Sequence, residues 1–172
     1  MKHSRNFVYD TRSQAITHPL VLRWVERFLA KQLTPFLLSS DEQADPSSPL
    51  KVLSYNTFPQ FMKNHPDDYL FILFHLSSCE FSQHFASVIE ELAERNVEQK
   101  NVFFASLDLD TNRSPSGVSV FNFPSFWLFH GGRITAKFQG PRTLEFVQDW
   151  VQQQTTMLKQ KEENDIHQLQ QE

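Results

Sequence analysis

The period of the apolar positions changes several times along this chain, and each change marks an element. Residues 69–74 form an almost continuous apolar run, Tyr-Leu-Phe-Ile-Leu-Phe. A run that short and that apolar predicts a strand buried on both faces. Ser77 and Ser78 interrupt it. Beyond them Phe81, Phe85, Val88, Ile89 and Leu92 recur at helical spacing, which predicts an amphipathic helix over 81–95. A buried strand over 70–76 therefore turns directly into a helix.

The same reading extends to both sides. Val52 and Leu53 mark a short strand, and residues 57–64 a short helix with Phe58, Phe61 and Met62 inward. Residues 102–109 predict a second buried strand, 114–120 a loop or short helix, and 125–129 a further strand. Gly131-Gly132 is a two-residue hairpin turn with a returning strand over 133–138. Gly140-Pro141 breaks the chain, and Leu144, Val147 and Val151 face inward from a last helix over 144–157. This alternation calls for an α/β domain with a mixed central sheet and helices on both faces.

The ends are different. Phe7, Val8 and Tyr9 form an isolated apolar patch, read as a strand end with nothing local to pair with. Thr17-His18-Pro19 looks like a helix start. Leu20, Val21, Trp24, Val25, Phe28 and Leu29 then form a stripe through about residue 32, and that helix needs a partner surface. Residues 33–49 contain Pro35, Pro46, Pro49 and the polar cluster 39–42, and read as a linker. The tail 158–172 is rich in Gln, Glu and Lys, and is expected to be a frayed helix extension or disordered.

Composition narrows the function classes. The 172 residues carry a net charge of −4, so neither nucleic acid nor an anionic membrane finds an electrostatic footprint. No run approaches the ~18 apolar residues of a membrane span. The opening Met-Lys-His-Ser-Arg-Asn has no apolar region behind it, so no signal peptide is read, and the closing Gln-Leu-Gln-Gln-Glu is unlike a retention signal. The 17 Phe suffice for a real core.

Cys79 is the only cysteine, so no internal disulfide is possible. It falls at the turn between the buried strand and its helix. Unpaired N–H groups and the positive dipole end there favour thiolate. The plain alternative is an inert small hydrophobe. His75 and His84 flank the turn, but with Cys79 they make an incomplete metal site. No metal and no cofactor are expected.

The β/α order, the thiol at this turn and Phe123-Pro124 just before the hairpin together resemble a thioredoxin domain. More narrowly, the chain resembles the last catalytic-type domain of the protein disulfide isomerase family. Leu50-Lys51-Val52-Leu53 with Phe58 resembles that family's opening strand and helix. Leu107-Asp108-Leu109-Asp110-Thr111-Asn112 resembles its third strand and following loop, Asn122-Phe123-Pro124-Ser125 its cis-proline motif, and Phe138-Gln139-Gly140-Pro141-Arg142 its closing Gly-x-Arg segment. The resemblance implies four regions. Residues 1–32 would be the strand end and helix of a preceding b-type domain, and 33–49 the linker. Residues 50–157 would be the thioredoxin-like domain, and 158–172 a polar tail.

The family's active turn is usually Trp-Cys-x-x-Cys, and here it reads Ser78-Cys79-Glu80-Phe81-Ser82. The nucleophile position is kept and the resolving position is Ser82. The buried acidic residue of the family falls at Leu73, and its motif histidine at Phe81. The resemblance implies a protein disulfide isomerase-like protein acting in protein folding, with at most weak thiol–disulfide exchange or mixed-disulfide tethering of clients through Cys79. Arg142 would approach the thiolate. Phe123, a cis-bonded Pro124 and Phe81 would meet substrate, although Phe81, Phe121 and Phe123 are by default mostly core. Implied partners are unfolded or cysteine-containing polypeptides and glutathione, and the implied compartment is the endoplasmic reticulum. The other reading is a redox-inactive interaction domain whose Cys79 is buried and idle.

Overall fold

The computed structural model describes residues 7–11, 14–33, 36, 38–40, 45 and 47–169. Pro35, Pro46 and residues 41–42 of the expected linker lie outside them, as do residues 1–6 and 170–172. Two compact units divide between Leu38 and Ser39.

In the first unit, helix α1 spans His18–Leu29, with Pro19 in its opening turn. The expected strand at 7–9 does not form among the described residues. Those side chains rest on the helix instead: Phe7 meets Phe28 edge-on at 5.1 Å between ring centres, and Tyr9 meets Trp24 at 6.4 Å. A lone apolar tripeptide has no sheet edge to join, so ring packing is its available burial. No residue of α1 is fully buried.

The second unit is built on a five-stranded sheet in the order β1-β3-β2-β4-β5. Its elements are β1 (Leu50–Leu53), α2 (Phe58–Asn64), β2 (Tyr69–His75), α3 (Glu80–Arg95), β3 (Val102–Asp108), β4 (Ser125–His130), β5 (Arg133–Lys137) and α4 (Leu144–Leu169). β1, β3 and β2 are parallel, while β4 and β5 run antiparallel. The sheet is thus mixed. Alternate residues of β2 feed opposite faces. Phe71 and Leu73 pack with Phe85, Ile89, Phe126 and Val147 beneath α3 and α4. Leu70, Ile72 and Phe74 pack with Phe58, Trp127 and Phe129 on the α2 side. Both faces being covered explains why β2 reads as continuous rather than alternating apolar sequence. Each such side chain contributes about 1.5–3 kcal/mol by leaving water.

Two segments left open between alternatives take one of them. Residues 109–124 cross from β3 to β4 as a loop, held by the Ser114 hydroxyl donating to the Val118 carbonyl at 2.6 Å. Pro115 lacks a backbone donor and Gly117 adopts φ +81°, which breaks any helical start. The tail takes the helical of its two expected forms and continues α4 to Leu169. Residues 157–163, Met-Leu-Lys-Gln-Lys-Glu-Glu, are all strong helix formers. Glu162 also anchors the helix to the sheet: it accepts from the Tyr69 hydroxyl at 3.1 Å and pairs with His130 at 2.7 Å. Among the described residues no helix is long and apolar enough to cross a membrane.

Candidate active site around Cys79

Three strand ends converge below the thiol. His75, last in β2, pairs with Asp108, last in β3. On the other side the β2–β4 ladder ends at Phe74 and Ser125, so Pro124 stands one step further, opposite His75. The chain leaves β2 through residues 76–78, and carboxylates at and just past the end of β3 pin that loop. Asp108 Oδ1 accepts the N–H groups of Ser77 and Asp110, each at 3.0 Å. Asp110 Oδ2 accepts the Ser78 N–H at 2.6 Å and the Ser77 hydroxyl at 3.3 Å. From α3, the Gln83 side chain donates to the Ser77 carbonyl at 2.7 Å. Sequence reasoning took Asp108 and Asp110 as part of a strand and loop only. The available signal was an Asp-x-Asp just past a strand parallel to the thiol's own strand.

Cys79 is the N-cap of α3, with extended backbone at φ −102° and ψ 118°, and is half-buried. The N–H of Ser82, the Ser82 hydroxyl and the N–H of Phe81 hold its thiol below the ordinary cysteine range. Burial and the Asp110 carboxylate push the other way and do not prevail. The opposing carboxylate, Asp110, thus lies across the loop.

Ser82 is fully buried, and its hydroxyl makes no hydrogen bond of ordinary geometry. The spacing is that of a capping box, which brings an N-cap side chain beside the residue three positions on. Partial burial raises the Asp108 carboxyl, but the N–H of Asp110, both donors of Ser77 and the charge of His75 bring it below the usual range. Asp110 is lowered mainly by the Ser78 and Ser77 donors.

The remaining expected residues are placed as follows. Leu73 is completely buried in the core beneath α3, with no carboxyl at that position. Pro124 is buried and the Phe123–Pro124 bond is cis, as expected. Arg142 lies on the proline loop, donating from Nη2 to the Pro124 carbonyl at 3.1 Å, with its guanidinium 5.8 Å from the Phe85 ring centre. Phe85, Pro124, Phe138 and Arg142 line a cavity of about 400 Å³. Phe123 packs against the α2-side core. Phe81 and Phe121 do not join a core: they are 76% and 81% exposed. Phe81 sits in the opening turn of α3 at the edge of its apolar stripe, and Phe121 lies in the loop before β4. His84 is exposed, and the described residues hold no cluster of three metal-ligating side chains.

Residues 49–153 match the thioredoxin family. The chain belongs to the thioredoxin family. Among curated thioredoxin-family relatives, it is 26% identical over 140 residues to protein disulfide-isomerase of Oryctolagus cuniculus, covering 80% of this chain and 27% of that protein. The match to protein disulfide-isomerase of Gallus gallus has the same extent. The chain therefore spans little more than a quarter of these relatives' length. Solved structures share the thioredoxin fold. Human ERp44 has a TM-score of 0.52 at 24% identity, covering 60% of this chain and 32% of that one. The first thioredoxin domain of mouse protein disulfide-isomerase A4 has a TM-score of 0.53 at 20% identity, covering 66% and 81%.

Proposed function

We propose that this chain acts in protein folding as a disulfide isomerase-like monothiol protein that holds client polypeptides through Cys79. The observation that carries the reading is a half-buried thiol whose pKa is lowered at the N-terminus of α3, with Phe81 exposed beside it. The Cys79 thiolate attacks one sulfur of a client disulfide. A new S–S bond forms, the old one breaks, and the second client sulfur leaves as a thiolate that takes a proton from water. A two-cysteine motif escapes this state because its second thiolate attacks intramolecularly at high effective concentration. Ser82 stands at that position, and a hydroxyl cannot perform the exchange. Release then requires an external thiol such as glutathione.

The surroundings fit capture better than turnover. Leu73 offers no carboxylate to accept protons, so exchange is slow. Pro124, held by Arg142, presents the end of β4 toward the thiol side of the sheet. Phe81 and Phe121 provide exposed apolar contact for extended, unfolded segments. Kinship with protein disulfide-isomerases supports the endoplasmic reticulum as the compartment and a preceding b-type domain as the source of α1. Incubating the full chain with an oxidised unfolded client should give a Cys79-dependent adduct on non-reducing gels. Ser82→Cys should shorten its lifetime, and Phe81→Ala with Phe121→Ala should slow its formation without lowering Tm. An absent adduct, with Cys79 resistant to alkylation until denatured, would leave the redox-inactive interaction domain as the better reading.

A further inference from the structure

The buried hydroxyl of Ser82 is fully shielded from solvent and makes no hydrogen bond of ordinary geometry, although it lies near enough to Cys79 to help hold the thiol low. Such a group costs folding free energy, since its lost contact with water is not replaced. It lies three residues after Cys79, in the first turn of α3, where the Ser82 and Phe81 N–H groups also address the sulfur. The sulfur itself makes no capping hydrogen bond. Sulfur is a weak acceptor, whereas N-caps are ordinarily oxygen. An oxygen carried on the sulfur would offer these donors a stronger acceptor than the sulfur itself.

We infer that Cys79 is a peroxide-reactive site whose sulfenate oxygen is held by the Ser82 hydroxyl and the first N–H groups of α3. This rests on the reading of Cys79 as an accessible, reactive thiol and extends its substrate class. The thiolate attacks one oxygen of hydrogen peroxide or an alkyl hydroperoxide. The S–O bond forms, the O–O bond breaks, and the leaving hydroxide or alkoxide takes a proton from water. Sulfur loses two electrons and the peroxide gains them. A client thiol then attacks the sulfenic sulfur, forming the mixed disulfide and releasing water. The thiolate form captures client disulfides, whereas the sulfenate captures client thiols. With no second cysteine in the chain, nothing within it can convert the sulfenate to an intramolecular disulfide.

The test treats the reduced full chain with equimolar hydrogen peroxide, then with dimedone or a reduced cysteine peptide, and reads intact mass. Wild type is expected to give one dimedone adduct at Cys79, and one mixed disulfide with the peptide. Ser82→Ala discards an unpartnered hydroxyl and should remain folded. Its sulfenate should decay to sulfinic acid about tenfold faster, the factor a charge-assisted hydrogen bond carries. Failure of wild type to give a dimedone adduct would overturn the inference, as would equal sulfenate lifetimes in the two proteins. A parallel arm without peroxide, using a disulfide-bonded peptide, reports the exchange chemistry alone. An adduct there with no sulfenate in the first arm overturns only the peroxide chemistry, and no reaction in either arm overturns both.

Discussion

Asp110 accepts the backbone N–H of Ser78 at 2.6 Å, one residue before the thiol, and the same carboxylate opposes ionisation of Cys79. One side chain thus places the sulfur and restrains its charge. Asp110→Asn keeps an acceptor oxygen and removes the charge. The inflection of the Cys79 alkylation rate should move to still lower pH, with the loop intact. Asp110→Ala removes the acceptor as well, and amide exchange at 77–79 should quicken. An unchanged inflection in the Asn variant would show that the carboxylate does not act on the sulfur.

Acid should undo the loop in a defined direction. Asp108 and Asp110 both have carboxyls below their ordinary range in the folded chain. A folded pKa below the unfolded value, about 3.9, gives stability that is present above it and lost as pH falls through the folded value. Thermal unfolding from pH 7 downward should show Tm falling below about pH 4. The fall should be shallower when both residues are Asn. Equal slopes would place the acid sensitivity elsewhere.

Ser82→Ala should be neutral or stabilising, although it truncates a fully buried side chain. A buried hydroxyl without a partner carries a penalty of about 1–3 kcal/mol, and alanine removes the group that incurs it. Denaturant unfolding measures the change. A loss of more than about 1 kcal/mol would show that the hydroxyl is bonded in the resting protein.

The far end of α4 depends on Tyr69. Burial and Glu162 push the tyrosine pKa up to about 12. Raised above its unfolded value, this hydroxyl contributes stability that is complete below about pH 10 and lost as pH rises toward the folded pKa. Tyr69→Phe should cost about 0.5–1.5 kcal/mol and speed amide exchange over 158–169 at neutral pH. Unchanged exchange there would show that the helix end is held without this bond.

The β2–α3 unit was legible because periodicity records burial. β2 is apolar from Tyr69 to Phe74 since both its faces are covered there, and α3 shows its stripe since only one of its faces is. Gly131 and Gly132, at φ +59° and +70°, were legible as a primed turn for conformational reasons. What escaped depends on contacts without periodic signature. The choice between helix and disorder beyond residue 157, open in the sequence, turns on Tyr69, His130 and Glu162, three residues scattered over the sequence. The loop before Cys79 is fixed by carboxylates that bond backbone N–H groups, and backbone donors carry no residue identity to read. Phe81 and Phe121 are apolar by type, and Phe81 also keeps the helical spacing of α3, but both lie beyond the packed layers, so neither type nor spacing shows their exposure.

The reactivity of native Cys79 is the most direct test of the site. Alkylation rates measured against pH, for the folded chain and for the chain in denaturant, compare the same single thiol in two environments. The folded protein should react fully without denaturant, and its rate should rise at a lower pH than that of the unfolded chain. Protection of the thiol until unfolding, or an inflection above that of the unfolded chain, would contradict the assignment of Cys79 as the nucleophile.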